Sequence, residues 1–533
     1  MAIKKTKNIT TNEFNQVVEG TSLTKEAWKR LKKNKMAIVG LVVVCIYALI
    51  AALAGVLPLY PYYEQVIDHK QLQPSLTKTA GDLMMDKKLQ DIYYQAWRSG
   101  RLVLSDEENA MIKGWIKEDQ TTKVWNYLSE EGEKQREAGT FEFSQSDLKT
   151  IERYEEKIES DVMVTIKKLY ATIDGERMNL DKADYYQLEE VYSAMNNGLA
   201  IETINSAIRK ELVSAEVNTI KANDSEISTA DAQAQAEIEI ENYSESEYSK
   251  LAKENILSKI KTQANKEALA KIKAEIKQNP DLNFPLNEEM EIPSGLTLKL
   301  EASRTNDRRY ILGTDSLGRD LLSRIIYGGR VSIAIGLIGT ITSVVIGILV
   351  GSIAGYKGGR VDYYLMRFVD VMYGLPYMLL VIICMAVFGR GLFNLFFALA
   401  LISWLTIARM VRGQIMSLKN QEYVEAARSM GASTARIISR HMIPNSLSVI
   451  IVYSTIRIPN FIMQESFLSF LGLGVQAPFA SWGSLIGDAV ASMTVYPWLL
   501  IYPSLAMVIF LFAMNFLGDG LRDAFDPQSK NQL

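Results

Sequence analysis

The 533-residue sequence predicts an all-α membrane protein that crosses the bilayer several times and carries a large acidic insert. Several stretches lack charged residues over lengths that let a helix span the bilayer. Charge is also divided unevenly along the chain. Residues 59–300 contain 30 Lys and Arg against 45 Asp and Glu, whereas the remainder contains 28 basic and 16 acidic residues. The mean hydropathy of +0.02 therefore averages a polar segment and an apolar one.

Six mostly uncharged stretches predict six membrane-spanning helices. They are 36–57, 331–356, 371–389, 391–408, about 445–470 and 498–518. The first has 22 residues, more than the apolar part of a signal peptide needs, so we predict an uncleaved helix although Ala52-Leu53-Ala54 resembles a cleavage site. Six spans place both termini on one side.

Basic residues set the predicted orientation. Nine of them lie within residues 1–35, so the positive-inside rule places this end in the cytoplasm and the segment 58–330 outside it. Six arginines just before the second span oppose this orientation. They are Arg304, Arg308, Arg309, Arg319, Arg324 and Arg330. We keep the orientation because the first span usually dominates and because acidic residues are interspersed with these arginines.

This topology divides the chain into six predicted segments. They are a cytoplasmic N-terminal segment (1–35), the first span (36–57), an acidic extracytoplasmic insert (58–302), an interfacial segment (303–330), a membrane core with a polar loop at 412–445 (331–518) and a cytoplasmic tail (519–533). Apolar residues at helical spacing predict that the insert is mostly α-helical. Within it, 221–247 is polar enough for a poorly packed link, and 296–302 reads as a strand.

Few residues could support catalysis or metal binding. Cys45 and Cys384 both lie in apolar spans, and His69 and His441 are the only histidines. This inventory predicts no disulfide framework, zinc site or His-based triad. The sequence also lacks a Walker motif, and its basic residues flank apolar spans. We therefore expect no cofactor, no enzymatic activity in this chain and no nucleic-acid partner.

A polar helix-turn-helix lies between two predicted spans, at residues 422–445. Small side chains in its first half let a partner approach closely, an acidic one offers charge, and Gly431 permits the positive φ that often ends a helix. Pro444 is expected to stop the second helix. The residues of interest are Glu425, Ala426, Ala427, Gly431, Ile437 and Pro444. Their placement predicts a cytoplasmic docking element.

Two charged residues fall inside a predicted span. Arg457 and Glu465 both lie in the fifth, and ionisable groups at membrane depth usually face protein or water. Both are candidates for a translocation path, although Glu465 could equally lie near the outer interface. Gly347, Gly351 and Gly355 recur every four residues in the second span, the spacing that lets two helices approach closely in lipid.

The docking element resembles the EAA signature of bacterial ABC-importer permeases. Further motifs in series are similar to those of the oligopeptide/dipeptide/nickel permeases of OppC/DppC type. They are 311–332 (ILGTDSLGRDLLSRIIYGGRVS), 355–370 (GYKGGRVDYYLMRFVD), 422–433 (EYVEAARSMGAS), 468–486 (LSFLGLGVQAPFASWGSLI) and 515–527 (NFLGDGLRDAFDP). Two features depart from the family's pattern: the long insert, and Arg457 at a place where a small or apolar residue is expected.

The resemblance implies a type I ABC importer permease fold in a bacterial cell membrane. It also implies a second permease subunit as heterodimeric partner, two cytoplasmic ATP-binding subunits that hydrolyse ATP, and an extracytoplasmic solute-binding protein. The docking element would then couple the ATPases to transport. Peptide is the cargo we expect first, with nickel or another small solute as the alternative.

Two functions of other classes account for less of the sequence. An ion-coupled secondary transporter could use Arg457 and Glu465, but it leaves the docking element unexplained, and the chain shows no convincing internal repeat. A membrane-bound enzyme or sensor with its active part in the insert finds no catalytic constellation.

Overall fold

The computed structural model describes residues 23–173, 175–223, 227–279, 282–389 and 391–525. The predicted segments 1–35 and 519–533 therefore lie partly outside the described residues. Thirteen of the described helices, in chain order, are α1 (Leu23–Leu31), α2 (Lys35–Leu53), α3 (Ala80–Arg98), α4 (Asp106–Lys117), α5 (Thr121–Glu137), α6 (Gln145–Glu159), α7 (Tyr185–Met195), α8 (Ile201–Asn223), α9 (Thr229–Glu241), α10 (Glu245–Gln278), α11 (Leu321–Lys357), α12 (Gly359–Gly374) and α13 (Tyr377–Phe388). They are followed by α14 (Leu392–Leu418), α15 (Glu422–Ser429), α16 (Thr434–Ile437), α17 (Ile443–Phe470), α18 (Trp482–Val490) and α19 (Trp498–Phe525). The strands are β1 (Met163–Ile173), β2 (Glu176–Asn179), β3 (Leu286–Glu291) and β4 (Thr297–Ser303).

The chain forms two compact units. The first, called here the membrane unit, contains the chain up to Leu76, Glu107–Val124 and everything from Tyr310 onward. The second, called the insert unit, contains Thr77–Asp106 and Trp125–Arg309.

The insert unit is built around a four-stranded antiparallel sheet. Its strand order is β2-β1-β4-β3, and α7, α8 and α10 contribute to the same hydrophobic core. The predicted strand at 296–302 is confirmed as β4, in which Leu298 and Leu300 are buried on one face. The prediction of a mostly helical insert omitted the other three strands. In β1 the register shifts between Ile166 and Lys168, and this irregularity interrupts the alternation by which a strand is recognised.

Long helices of the insert unit bury narrow apolar stripes. In α10 a buried Ala or Ile recurs every four residues from Ala252 to Ile276, the spacing that keeps side chains on one helix face. The polar stretch 221–247 contains α9, a helix that buries Ala232 and Ala236, so the prediction of a flexible or poorly packed link is wrong for this helix. Alanines suffice for this packing because α9 packs closely against α8. Since alanine is only weakly apolar, the buried face of α9 is difficult to recognise in so polar a sequence.

Among the described residues of the membrane unit, five helical runs are long and apolar enough to cross a bilayer. They are α2, α11, α14, the continuous run from Thr434 to Phe470, and α19. The helices α12 and α13 would add a sixth span if they cross as a pair, but they meet at an angle of 86°. The predicted single helix at 371–389 is therefore wrong. Pro376 has no N–H to donate and disfavours helical backbone at Leu375, which is extended with ψ of 138°.

Three glycines join α11 to α14, as their spacing in the sequence predicts. A Cβ atom at Gly347 would lie 2.6 Å from Cβ of Ile407, and one at Gly355 would lie 2.8 Å from the carbonyl oxygen of Arg412. At Gly351 it would overlap the carbonyl oxygen of Ala408. Only glycine lets the two helix backbones approach this closely, so the stripe fixes α14 against α11.

A buried carboxylate organises the segment that leads into α11. Asp315 Oδ1 accepts hydrogen bonds from the backbone N–H groups of Leu317 (2.8 Å) and Arg319 (3.0 Å). Its Oδ2 pairs with the guanidinium groups of Arg319 and Arg324, which are 6% and 3% exposed. Two of the six arginines that opposed the predicted orientation therefore share one local acid, which removes one of their two positive charges, and Asp320 caps α11 beside them.

Candidate coupling loop and transport path

The loop between α14 and α17 is a short helical hairpin closed by Gly431. The N–H groups of Gly431 and Ala432 bond to the carbonyl oxygens of Arg428 and Ala427, the pattern of a Schellman motif at the end of α15. Gly431 has φ of +81°, the left-handed conformation that its place in the sequence predicts. Ser433 then begins α16 by accepting the N–H of Arg436. Local bonds alone thus define the turn.

One side of the hairpin is buried and the other is open. Val424, Ala427 and Ile437 are at most 3% exposed and pack in a cluster with side chains of α14. Glu425 and Ala426 are exposed on the opposite side, as is Gly431. The hairpin is therefore anchored to the membrane unit through its apolar face, while the charge and the small residue predicted for docking remain accessible.

Two exposed side chains beside this open face were not predicted from the sequence. Met430 is 82% exposed and Tyr423 is 39% exposed, although both are large and apolar. Their exposure could have been predicted from helical spacing, since neither residue belongs to the apolar stripe formed by Val424, Ala427 and Ile437. Together with Glu425 and Ala426 they give the hairpin an accessible surface of mixed character, as expected for a contact with another protein.

Pro444 does not stop the second helix, contrary to the prediction. It is the second residue of α17, and α16 passes into α17 through a π-helical turn at Ile438–Met442. A proline is tolerated in the first turn of a helix, where its missing N–H is not required. The side-chain amide of Asn445 bonds to the carbonyl oxygen of His441 at 2.6 Å and satisfies an acceptor near the turn. Pro444 thus lies within a continuous helical run from Thr434 to Phe470.

Arg457 lies halfway along α17 and is partly buried. Its Nη2 donates to the backbone carbonyl oxygen of Ser403, which lies halfway along α14, and its guanidinium is 5.9 Å from the ring centre of Phe461. Nearby, the hydroxyl of Tyr377 donates to Oε1 of Gln464 at 2.6 Å. The structure thus gathers several polar groups at the middle of two long apolar helices.

Glu465 occupies a different environment, because it is fully buried. Its Oε1 accepts hydrogen bonds from the hydroxyls of Ser469 and Ser481, both at 2.6 Å. Ser481 is also the N-cap of α18, so the carboxyl ties α17 to the start of that helix. Arg457 and Glu465 lie in the same predicted span, but among the described residues no ion pair or hydrogen bond joins them. Nor do those residues contain a cluster of side chains that could hold a metal ion.

Two family models match the chain. The N-terminal transmembrane domain of oligopeptide transport permease C matches residues 22–74, and the binding-protein-dependent transport system inner membrane component matches residues 347–531. The oligopeptide transport system permease protein OppC of Haemophilus influenzae is 47% identical over 231 residues, 43% of this chain and 74% of that protein. The chain belongs to the family of binding-protein-dependent transport permeases, in its OppC/DppC branch.

Further relatives agree with this assignment of the permease. OppC of Escherichia coli is 48% identical over 42% of this chain and 73% of that protein, and the dipeptide transport system permease protein DppC of Bacillus subtilis is 46% identical over 40% and 68%. Among solved structures, a chain of the MetNI methionine ABC transporter in an inward-facing conformation aligns over 38% of this chain and 97% of that chain, with 19% identity and a TM-score of 0.33.

Membership of the family decides several of the predictions. The chain is a transport permease subunit of a bacterial inner membrane and is not itself an enzyme. The family implies ATPase and binding-protein components alongside it. The hairpin formed by α15 and α16, Arg457 and Glu465 all lie within the matched residues 347–531, whereas residues 75–346 lie outside both family models.

Proposed function

We propose that this permease imports oligopeptides or dipeptides as one half of a heterodimeric pore. The relatives that carry this proposal are named for oligopeptide and dipeptide transport and are 44–48% identical to this chain. Two ATP-binding subunits would supply the energy, and an extracytoplasmic solute-binding protein would deliver the cargo. In this arrangement α12 and α13 together form the sixth span, and residues 58–330 lie outside the cytoplasm.

The hairpin formed by α15 and α16 is the element that couples ATP hydrolysis to transport. The observation that carries this proposal is the division of its surface: Val424 and Ala427 hold it to α14, whereas Glu425 and Ala426 are accessible to a partner. An ATPase subunit that binds the exposed face would displace the whole hairpin, because backbone hydrogen bonds close the turn between α15 and α16.

Movement of the hairpin has a direct route into the membrane. From Thr434 to Phe470 the chain is helical without a break, and this run contains Pro444, Arg457 and Glu465. A rigid helix transmits displacement along its axis, so closure of the ATPases would shift the middle of α17. In this proposal Arg457 faces the path of the cargo, while Glu465 acts on the path indirectly by holding the start of α18.

Replacing Gly431 tests the coupling role. A Cβ at this position meets open space, so the effect of a substitution comes from φ of +81° alone. Valine in left-handed backbone costs about 1–2 kcal/mol or more, which lowers the ratio of native to non-native turn roughly 5- to 30-fold. Gly431→Val should therefore reduce transport by the reconstituted complex by about that factor while ATP hydrolysis continues.

The control for this experiment is Gly431→Asn, because asparagine adopts left-handed backbone more readily than other non-glycine residues. Gly431→Asn also adds a side chain at this position, but because asparagine tolerates the positive φ, this variant should retain most of the transport. Peptide uptake and ATP hydrolysis are measured together in proteoliposomes. Wild-type coupling in Gly431→Val would show that the turn does not take part in transmission.

The cargo is tested separately in cells. A strain that lacks this permease should lose uptake of labelled tripeptides and regain it when the gene is restored. Uptake of nickel should not change. If nickel uptake follows the gene and peptide uptake does not, the alternative cargo replaces the proposed one.

A further inference from the structure

Arg457 lies halfway along α17 in the membrane unit, and no acid among the described residues pairs with it. It is the fifteenth of the 28 residues of α17, whose ends are Ile443 and Phe470. Among the described residues its guanidinium bonds only to the backbone carbonyl oxygen of Ser403, and its Nε is buried without a hydrogen-bond partner. A charged group at this depth is costly unless it is paired or reaches water.

Three arginines of the neighbouring helices α11 and α14 do pair with acids. Arg412 in α14 forms a two-pronged pair with Asp362, and Arg409 pairs with Asp370 at 2.5 Å. Arg324 near the start of α11 pairs with Asp315. The fold thus supplies a carboxylate to these cations, and Arg457, deeper in its helix, differs from them in lacking one within the described part of the chain.

Polar groups surround the stretch of α14 and α17 that contains Arg457. The hydroxyl of Tyr373 bonds to that of Thr406, one turn beyond Ser403, and the hydroxyl of Tyr377 donates to Gln464. These two tyrosines stand on either side of the break between α12 and α13, where Gly374 and Pro376 are exposed on the surface of the chain. Non-helical backbone at membrane depth is tolerated where it is covered by protein or lines water, and a guanidinium beside it favours water.

We propose that Arg457 binds the C-terminal carboxylate of a peptide during its passage, an inference that rests on the proposed peptide cargo. A guanidinium presents a planar fork of N–H donors that matches a carboxylate, and the buried Nε of Arg457 has no hydrogen-bond partner among the described residues. The neighbouring hydroxyl of Tyr377 and amide of Gln464 are neutral groups that can bond to peptide units of any sequence. A lipid phosphate does not reach this depth, and a peptide carboxylate does so only in transit.

The test compares a labelled tripeptide with its C-terminal amide in the reconstituted complex with its ATPases and binding protein. The wild type should import the free acid roughly tenfold faster than the amide, as expected for a charged hydrogen bond. In Arg457→Gln the preference should disappear, so that the acid and the amide are imported at the same rate. Arg457→Lys should keep part of the preference. The binding protein is the same throughout, so any change in the ratio belongs to the permease.

A second variant removes the free charge without removing the arginine. Gln464 lies seven residues beyond Arg457 on the same face of α17, so Gln464→Glu adds a negative charge to the polar cluster that contains the guanidinium. It should abolish the preference for the free acid as Arg457→Gln does. The matched control is Gln414→Glu near the far end of α14, which makes the same chemical change away from this cluster and should keep the wild-type ratio.

The outcomes separate this inference from the proposed cargo. A wild-type complex that imports neither the acid nor the amide contradicts peptide transport itself. An importing complex in which Arg457→Gln keeps the wild-type ratio overturns the role of Arg457. If Arg457→Gln does not assemble, Gln464→Glu decides: a wild-type ratio in that variant means that the arginine pairs with the partner permease instead of the cargo.

Discussion

Asp315 shows how one residue can account for charges that a topology rule finds misplaced. Its two carboxylate oxygens accept two backbone N–H groups and two guanidinium groups, those of Arg319 and Arg324. All three side chains are less than a tenth exposed. Because the cluster carries one net positive charge instead of two, it weakens the argument that these arginines made against an extracytoplasmic position.

Removing the acid should destabilise the membrane unit. Asp315→Asn keeps the size of the side chain but leaves two buried guanidinium groups facing each other, and breaking a buried ion pair costs about 3–5 kcal/mol. We expect a marked fall in the melting temperature of the purified permease, measured by fluorescence-detected size exclusion after heating. Asp488→Asn is the control, since Asp488 is 3.9 Å from Arg324 and 62% exposed, and it should melt close to the wild type. Equal melting of the two variants would contradict the structural role of Asp315.

Residues differ in how far their roles could be predicted from sequence. Gly431 was predictable because its task is local, a positive φ at the end of a helix. The burial of Glu465 was not, since it depends on Ser481, sixteen residues away, folding back onto α17. Arg457 could be placed in a span from the sequence. That no described acid pairs with it could not be predicted, because this depends on how α14 packs against α17 and on the break beside Tyr377.

At the scale of elements, sequence periodicity located the long helices and failed where a break or a bulge interrupts the period. Five of the six predicted spans coincide with long apolar helices, whereas the stretch 371–389 is divided by Pro376. At Pro444 the sequence predicts a helix end that the structure does not have. A proline can lie in the first turn of a helix as well as beyond its end, and here a π-helical turn leads directly into α17. In the insert, β1 was missed since its bulge breaks the alternation.

The glycine stripe of α11 gives a prediction at this scale. A Cβ at Gly351 overlaps the backbone of α14 at Ala408, which cannot move without displacing the helix. Overpacking costs about 1–3 kcal/mol even where side chains can adjust, so Gly351→Leu should separate α11 from α14 and abolish assembly of a monodisperse complex.

The matched control for the stripe lies on α14 itself. A Cβ at Gly413 meets nothing within 4 Å, so Gly413→Leu makes the same substitution in open space. Leucine is also a better helix former than glycine. Size exclusion should therefore show a normal complex for Gly413→Leu and an aggregated or absent one for Gly351→Leu. A normal profile for Gly351→Leu would mean that the two helices do not depend on close backbone contact.

For the whole molecule, the division of charge follows the division into units. The acidic residues concentrate in the stretch that contains the insert unit, which has its own sheet and its own hydrophobic core. The membrane unit contains the basic residues that flank apolar helices. Neither family model reaches residues 75–346, so the position of the insert relative to the membrane depends on the orientation that the N-terminal basic residues predict.

Site-directed labelling tests that orientation directly. Cys45 and Cys384 are first replaced by alanine, because both are native thiols that could react. Single cysteines are then introduced as Ala200→Cys in the insert and Ser433→Cys in the coupling hairpin, at positions that are both exposed. A membrane-impermeant maleimide added to intact spheroplasts should label the first and not the second, and opening the membrane should expose both. A permeant maleimide that labels the two equally confirms that each thiol is accessible. Since the insert joins the first and second spans without a further apolar helix among its described residues, labelling of Ser433→Cys from outside would invert the entire topology and place the coupling hairpin away from ATP.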